Sequence, residues 1–340
     1  KLGIPWFNVI GNHDLDLDAT SAAALDDSFE RHFGPSHYAF TVGRVHFVVL
    51  NSLVFRGVGK SPPFSPRYDE DQLTFLRNNL QFVSPDHLIV VAQHYPLTRF
   101  KRRVFDEASQ DELFQILARF PHTLSLSGHT HQQTNWRLGA DAGWPGPGTH
   151  HHFNVGAVSG PIWLGPSDKG GRPLLIMRDG TPAGYAEIRF NGHDYAIDYR
   201  VFGQPVDYKM AIYDVQRDQE PRMLYANFFQ GTEQAQLRWR FMDESSWRPL
   251  SQSLEPDPLA HQSWALATNN GERKRKKTMP LRPYPSFHVW KGAVPSLQRA
   301  RAIEIEATDL DGRRFLQRAT LQAPGGRREE VRQIDAGRRP

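Results

Sequence analysis

No cysteine occurs among the 340 residues, so a disulfide framework, a thiolate metal site and a cysteine nucleophile are all excluded. Nor does one sign of charge dominate: 41 Lys and Arg stand against 37 Asp and Glu, a formal net charge of +4. Basic and acidic residues are interspersed, which argues against a polycationic nucleic-acid binder and leaves small anionic substrates open. No apolar run approaches the length of a membrane span, so no transmembrane segment is expected. The opening residues, KLGIPWFNVIGNHD, do not read as a signal peptide, because an apolar stretch leads straight into a polar loop. A start at Lys1 is what a processed or truncated product would show, and any export signal is expected to lie outside this chain.

What is present is an ordinary globular composition, 39% hydrophobic and 23% charged, in a chain long enough for two cores. Up to about residue 205, short apolar strands alternate with helical stretches, the pattern of an α/β layered domain. Trp6–Ile10, Leu88–Gln93, Thr123–Ser127 and Phe153–Val158 read as strands, and Tyr38–Thr41 with Val45–Asn51 as a hairpin. Ser21–Phe33 reads as a helix. Asp69, with Gln72 three residues on, opens a second helix, and Ser109 with Glu112 a third. From about Tyr208 the character changes. Six strand-like runs between Tyr208 and Leu321, with no convincing helix, predict a small β-sandwich over residues 206–325. Leu254–Pro258 and the basic run Arg273–Lys277 read as its loops, and residues 326–340 as a disordered tail.

Three apolar strands end abruptly in metal-ligand residue types. WFNVI runs into Gly11-Asn12-His13-Asp14, LIVVAQ into His94, and TLSLS into Gly128-His129-Thr130-His131. In an open α/β sheet, ligands gather beyond the carboxyl ends of the strands, so these loops would converge. Imidazole and amide oxygen suit Zn, Mn or Fe rather than Ca or Mg alone. A single histidine after a strand is more often a hydrogen-bonded turn residue than a ligand, and Asn-His is as readily a turn. The order and spacing of all three motifs together favour the metal reading.

In that order, GNHD, a strand-borne His and GHTH resemble the calcineurin-like metallophosphoesterases, as do GPSHYAFTVGRVHFVVLNS, QLTFLRNNLQFV and VVAQHYPL. HHHFNVGAVSGPIW, DGTPAGYAEI and the β-rich remainder resemble the bacterial subgroup with a calcineurin-like phosphoesterase C-terminal domain. The resemblance implies a four-layer α/β/β/α sandwich over residues 1–205 and two divalent transition metal ions (Mn, Fe or Zn). It assigns Asn12, His94 and His129 to the second metal and His131 to the first. His13 would protonate the leaving oxygen while Asp14 orients its ring. The implied reaction is hydrolysis of a phosphomonoester or phosphodiester by a metal-bridging hydroxide, on a small phosphate ester or an envelope-derived substrate. No nucleic-acid partner is implied, and the full-length form would be periplasmic or secreted.

One half of the family's pattern is missing from these residues. None of the fifteen histidines has an aspartate two positions earlier, and no Gly-Asp dipeptide occurs. The family's Asp-x-His and bridging-aspartate motifs precede GNHD, where only eleven residues precede Asn12. The chain alone is therefore expected to be inactive, and the alternative is a pseudoenzyme that binds carbohydrate or a protein partner. Of His150-His151-His152, at most one or two can face a phosphate pocket, since three consecutive side chains cannot all point into one site; His151 and His152 are taken as substrate-binding candidates, a solvated loop being the plain alternative. Asp168, in a Gly-rich loop, is the third such candidate, and it is equally a routine turn former.

Overall fold

A computed structural model describes residues 3–99, 102–160, 176–217, 220–269, 282–323 and 330–334. Two compact units emerge: Lys1–Thr130 with Asn135–Val155 and Ile188–Ala196, and His131–Thr134 with Gly156–Glu187 and Ile197–Pro340. These units do not divide at 205/206, and the expected boundary differs from them: the segment Gly156–Glu187 groups with the C-terminal strands.

The first unit is organised by one six-stranded mixed sheet. Its strands are β1 (Tyr38–Val42), β2 (Val45–Val49), β3 (Leu88–Ala92), β4 (His122–Ser127), β5 (Thr134–Leu138) and β6 (His150–Asn154), in the order β1-β2-β3-β4-β6-β5. β1 and β2 form the expected hairpin around Gly43, whose φ of 60° suits glycine. β2, β3, β4 and β6 then run parallel. Val48 and the run Leu88–Val91 are 0–3% exposed with Val49, the near-continuous apolar reading that a parallel strand covered on both faces requires. The parallel direction sends the chain off β3 into His94 and off β4 into Gly128-His129, beyond neighbouring strand ends.

Helices α1 (Asp27–Phe33), α2 (Glu70–Leu80) and α3 (Glu107–Leu117) complete this unit. α2 starts as expected: Asp69 accepts from the Gln72 N–H, and Leu73, Leu76 and Leu80 are buried. α3 begins earlier than Ser109. The cap is Asp106, whose carboxylate takes the Ser109 N–H at 3.0 Å, and Ser109 itself is buried in the first turn. Of Ser21–Phe33 only Asp27–Phe33 is α-helical, preceded by a 3-10 turn at Ala22–Ala24. The expected strand Trp6–Ile10 is not formed: the segment has no regular secondary structure and pairs with no strand among the described residues. Trp6 and Phe7 are 67% and 52% exposed, and Phe7 stacks on Phe40 of β1 at 3.9 Å, while Ile10 is buried against Leu15, Leu25 and Phe29.

Gly184–Asn191 (β7) and Asp194–Val201 (β8) form a two-stranded hairpin. The second unit is built on an eight-stranded sheet, antiparallel at every described pairing. Its strands are β9 (Met210–Gln216), β10 (Met223–Phe228), β11 (Gln236–Phe241), β12 (Arg248–Gln252), β13 (Val289–Ala293), β14 (Arg301–Thr308), β15 (Arg314–Leu321) and β16 (Glu330–Gln333), in the order β15-β14-β11-β12-β13-β10-β9-β16. The sheet curls on itself, because the Gln317 side chain bonds both the N–H and the C=O of Met210, on β15 and β9. Met210, Phe228, Trp239, Trp290, Ile303 and Leu321 share the enclosed core.

Two expectations are corrected in this unit. Glu330–Gln333, placed in a disordered tail, pairs with β9. The Pro-rich loop is followed directly by α4 (Pro258–Asn269). Asp257 accepts from the Leu259 and Ala260 N–H groups at 3.0 Å each, and proline at the first helical position costs no hydrogen bond. Arg273–Lys277 lies outside the described residues.

The shifted start of α3 is testable. Asp106→Ala removes the cap and should lower unfolding free energy by about 1 kcal/mol, read from urea denaturation of the whole chain. An unchanged midpoint would contradict the capping assignment.

Candidate metal centre

Three donor atoms from three loops of the first unit meet at one point. His94 Nε2 lies 2.8 Å from Asn12 Oδ1 and 3.1 Å from His129 Nδ1, and His129 Nδ1 lies 3.0 Å from Asn12 Oδ1. Protons alone close this triangle poorly. The amide oxygen can only accept, so whatever tautomers the rings adopt, at most two of the three edges are hydrogen bonds and the third sets like against like. A cation attracts all three. Donors about 2.1 Å from an octahedral cation are about 3.0 Å apart on adjacent vertices, and the three sides match that spacing. The donor set therefore fits one divalent ion with nitrogen and oxygen preference. Among the described residues no group of three or more His, Cys, Asp or Glu is set to hold a metal; the triangle depends on an amide as its third donor.

Local backbone explains the convergence. Gly11 carries no side chain where a Cβ would stand 3.0 Å from the His94 ring, so the loop of Asn12 can lie against it. Asp14 closes that loop: its N–H meets Gly11 O at 3.0 Å and its Oδ2 accepts from Gly11 N–H at 2.8 Å. Beyond β4, Thr130 N–H turns back to Gly128 O at 2.7 Å. His129 and His131 both adopt positive φ, 67° and 53°, a conformation uncommon outside glycine that gathers at functional sites. Tyr95 stacks on the His129 ring at 4.0 Å.

The remaining expected residues are placed differently. His13 and Asp14 are exposed, and Asp14 spends one oxygen on Gly11. His131 counts with the second unit, where its Nδ1–H donates to Gly160 O at 2.9 Å. That bond fixes the tautomer and leaves an Nε2 lone pair of the kind a metal takes. Two residues on, Gln133 N–H donates to Asp179 Oδ2 at 2.6 Å. His288 Nε2 donates to the same oxygen at 3.1 Å.

His151 and His152 do not lie in a solvated loop. Both are buried in β6, at 3% and 0% exposure, with His150 at 0%. His151 has Nδ1 on Tyr195 Oη at 2.5 Å and Nε2 on Asn135 Oδ1 at 2.6 Å. His150 and His152 point to the other side and lie among hydroxyls of β4. Burial pushes both down to about 3 from the usual histidine value, helped at His150 by the charge of Arg137 and by His152. Asp168 lies outside the described residues. Tyr95, Leu97 and Asn154, which touch the ligand loops, were not singled out by sequence; the signal for Asn154 was its place two residues after His152, on the same strand face.

The site now meets its relatives. Residues 1–133 match the family model for Calcineurin-like phosphoesterase, and residues 152–315 match C terminal of Calcineurin-like phosphoesterase. Between them they take in most of the chain, which belongs to the calcineurin-like phosphoesterase family and has the metallophosphoesterase fold. A 96-residue stretch is 33% identical to the serine/threonine-protein phosphatase CPPED1 of Homo sapiens, and equally to that of Pongo abelii. It is 28% of this chain, which thus spans 29% of the length of the curated relatives it matches. Among solved structures, purple acid phosphatase PPD1 from yellow lupin (Lupinus luteus) seeds matches with a TM-score of 0.41 and 13% identity, over 58% of this chain and 38% of that one.

The buried rings carry a pH consequence. In the unfolded chain His150 and His152 take up protons below about 6.5, but in the folded chain not until about 3. Stability should thus be full above about pH 6.5 and fall toward pH 3, by on the order of 1 kcal/mol per pH unit for each ring. Urea midpoints across pH 4–7 should slope less steeply in His150→Gln than in the parent; equal slopes would refute the assignment.

Proposed function

We propose that this chain carries the second-metal half of a phosphoesterase centre, with Asn12, His94 and His129 as ligands of a divalent Mn, Fe or Zn ion. The observation that supports it is the triangle of donor atoms with sides of 2.8, 3.1 and 3.0 Å. His131 Nε2 is assigned to a companion ion. Bound there, divalent ions supply Lewis acidity to phosphoryl oxygens and lower the pKa of water.

The chain's own residues supply the rest. His13 projects from the loop of Asn12 and is exposed, so its ring is free to approach a phosphate ester bound at the centre. It donates a proton to the leaving oxygen as the P–O bond breaks, which removes the need to expel an alkoxide. Asp14, next in sequence and anchored on Gly11, supports that ring. The substrate class is a phosphomonoester or phosphodiester, in keeping with the family models and the protein-phosphatase relatives.

Charge sets the limit on what residues 1–340 do unaided. Asn12, His94, His129 and His131 are neutral donors, and the sequence contains neither Asp-x-His nor Gly-Asp. Two dications at short range repel strongly unless an anion lies between them. The 340-residue chain should therefore bind one Mn²⁺ or Zn²⁺ per chain and hydrolyse an aryl phosphate near the background rate.

Metal analysis of purified variants tests the division of labour. His94→Ala and His129→Ala should lose the ion, whereas His13→Ala should keep it, because a proton donor is not part of resting ligation. Loss of metal from His13→Ala to the level of His94→Ala would overturn the assignment. So would two ions per chain with rapid turnover in the unaltered protein.

A further inference from the structure

The three consecutive histidines of β6 find no role in the centre itself, yet β6 is tied to both loops that carry its imidazoles. Leu97 follows His94 by three residues, and its N–H donates to His152 Nε2 at 3.3 Å. Thr130 follows His129 directly, and its hydroxyl accepts from Asn154 Nδ2 at 2.8 Å. His152 and Asn154 lie two residues apart on one face of β6. We propose that His152 and Asn154 are positioning residues, which fasten the two ligand loops to one rigid strand and so set the approach of His94 to His129. This rests on the metal reading above and extends it to residues that touch no ligand.

The hydrogen-bond pattern behind His152 shows that these contacts belong to a single ordered array. A backbone N–H can only donate, so His152 Nε2 accepts and its hydrogen resides on Nδ1. That hydrogen goes to Ser125 Oγ at 2.7 Å. Ser125 then gives its own hydrogen to His150 Nε2 at 2.8 Å, and His150 Nδ1–H donates to Thr123 Oγ1 at 2.8 Å. At the other end, the Ser127 hydroxyl lies 3.2 Å from His152 Nε2 and donates to Asn154 Oδ1 at 2.9 Å. With its oxygen taken, the Asn154 amide must present Nδ2 to Thr130. The donor directions at His152, Ser125 and His150 all follow from one main-chain N–H at Leu97, and the array holds only with both rings neutral.

Precision at the centre gives this array a purpose. His129 stands in a left-handed conformation that the chain would leave unless something held it. The side-chain contact on Thr130 does so from a buried strand: Asn154 is 1% exposed and His152 0%. The register of β6 on β4, with His152 opposite Ser125 and Asn154 opposite Ser127, repeats the match of imidazole or amide to hydroxyl along the pair. A purely structural array could stop at Ser127; this one continues into the ligand loop.

The test is Mn²⁺ affinity of the 340-residue chain by calorimetry, with the Co²⁺ absorption spectrum as a report on ligand geometry. Thr130→Val removes the hydroxyl without changing side-chain volume appreciably and should weaken Mn²⁺ binding about tenfold, as outer contacts of metal ligands do. Asn154→Ala should do the same, and the double variant no worse than either alone, since both delete one contact. Thr123→Val breaks the far end of the array and should lower thermal stability while leaving affinity within about twofold. His129→Ala is the reference. If it binds Mn²⁺ as the parent does, the metal reading itself falls. If it loses binding while Thr130→Val and Asn154→Ala retain parental affinity and Co²⁺ spectrum, the positioning role is overturned and the metal reading stands. Should Asn154→Ala fail to fold, Thr130→Val decides alone.

Discussion

Bringing an amide oxygen and two ring nitrogens within 3.1 Å of one another leaves at least one pair of like groups opposed at the ends of three separate loops, and the surrounding structure must hold them there. Loops have few interactions with which to do this. The answer in the first unit is topological. Parallel β3 and β4 deliver His94 and His129 from adjacent strand ends, so the main chain already brings the loops together. The bond from Gly128 N–H to His94 O at 3.0 Å closes the gap between them, and Gly11 removes the Cβ that would keep the loop of Asn12 away. Sheet geometry provides the coarse approach, side-chain contacts the last fraction of an ångström.

How much of this the sequence disclosed depended on whether the deciding interaction was local. The helix at Asp69 was legible because its cap and its first buried leucine lie within four residues. The cap of α3 was not, since Asp106 and Ser109 are both good caps in isolation and only burial of Ser109 decides between them. Helix α4 hid behind Glu255-Pro256-Asp257-Pro258, where proline suggested a loop although Asp-Pro is also a helix start. Trp6–Ile10 failed for the opposite reason. Its apolarity was read correctly, but a strand is defined by a partner, and apolar residues cannot announce one. The meeting of His94 and His129 followed from strand-end spacing, whereas Asn12 joins them although no strand forms before it among the described residues. The fate of His150, His151 and His152 turned on what β4 places opposite them, which no local pattern contains.

The two units solve the same problem of buried polarity in different ways. Along β6 the rings of His150 and His152 are neutral, pushed to about 3 by burial, and each of their nitrogens finds a hydroxyl or a main-chain group. Uncharged imidazole avoids the heavy desolvation cost of a buried ion, while each unmet donor would still cost about 1–3 kcal/mol. That combination favours a fully satisfied array over a partial one.

The second unit instead buries carboxyl groups, those of Asp179 and Asp257. Asp179 Oδ2 takes N–H groups from Gln133 and His288, and its Oδ1 that of Thr181 at 3.0 Å. Asn227 Nδ2 bonds two oxygens, Asp257 Oδ2 at 2.8 Å and Asp179 O at 3.2 Å. Its Oδ1 then faces His288 Nδ1 at 2.7 Å. His288 and Asp179 are 2% and 1% exposed, with burial pushing Asp257 up to about 6 beyond them. Burying a carboxyl group is weak support for stability, because apolar residues of equal volume often do as well. Its virtue is direction: a carboxylate can fix three N–H groups at once, and an amide replacing it would turn a donor on one of them. Among those N–H groups is that of Gln133, two residues from His131, so the network bears on the stretch of chain that follows the φ of 53° at His131.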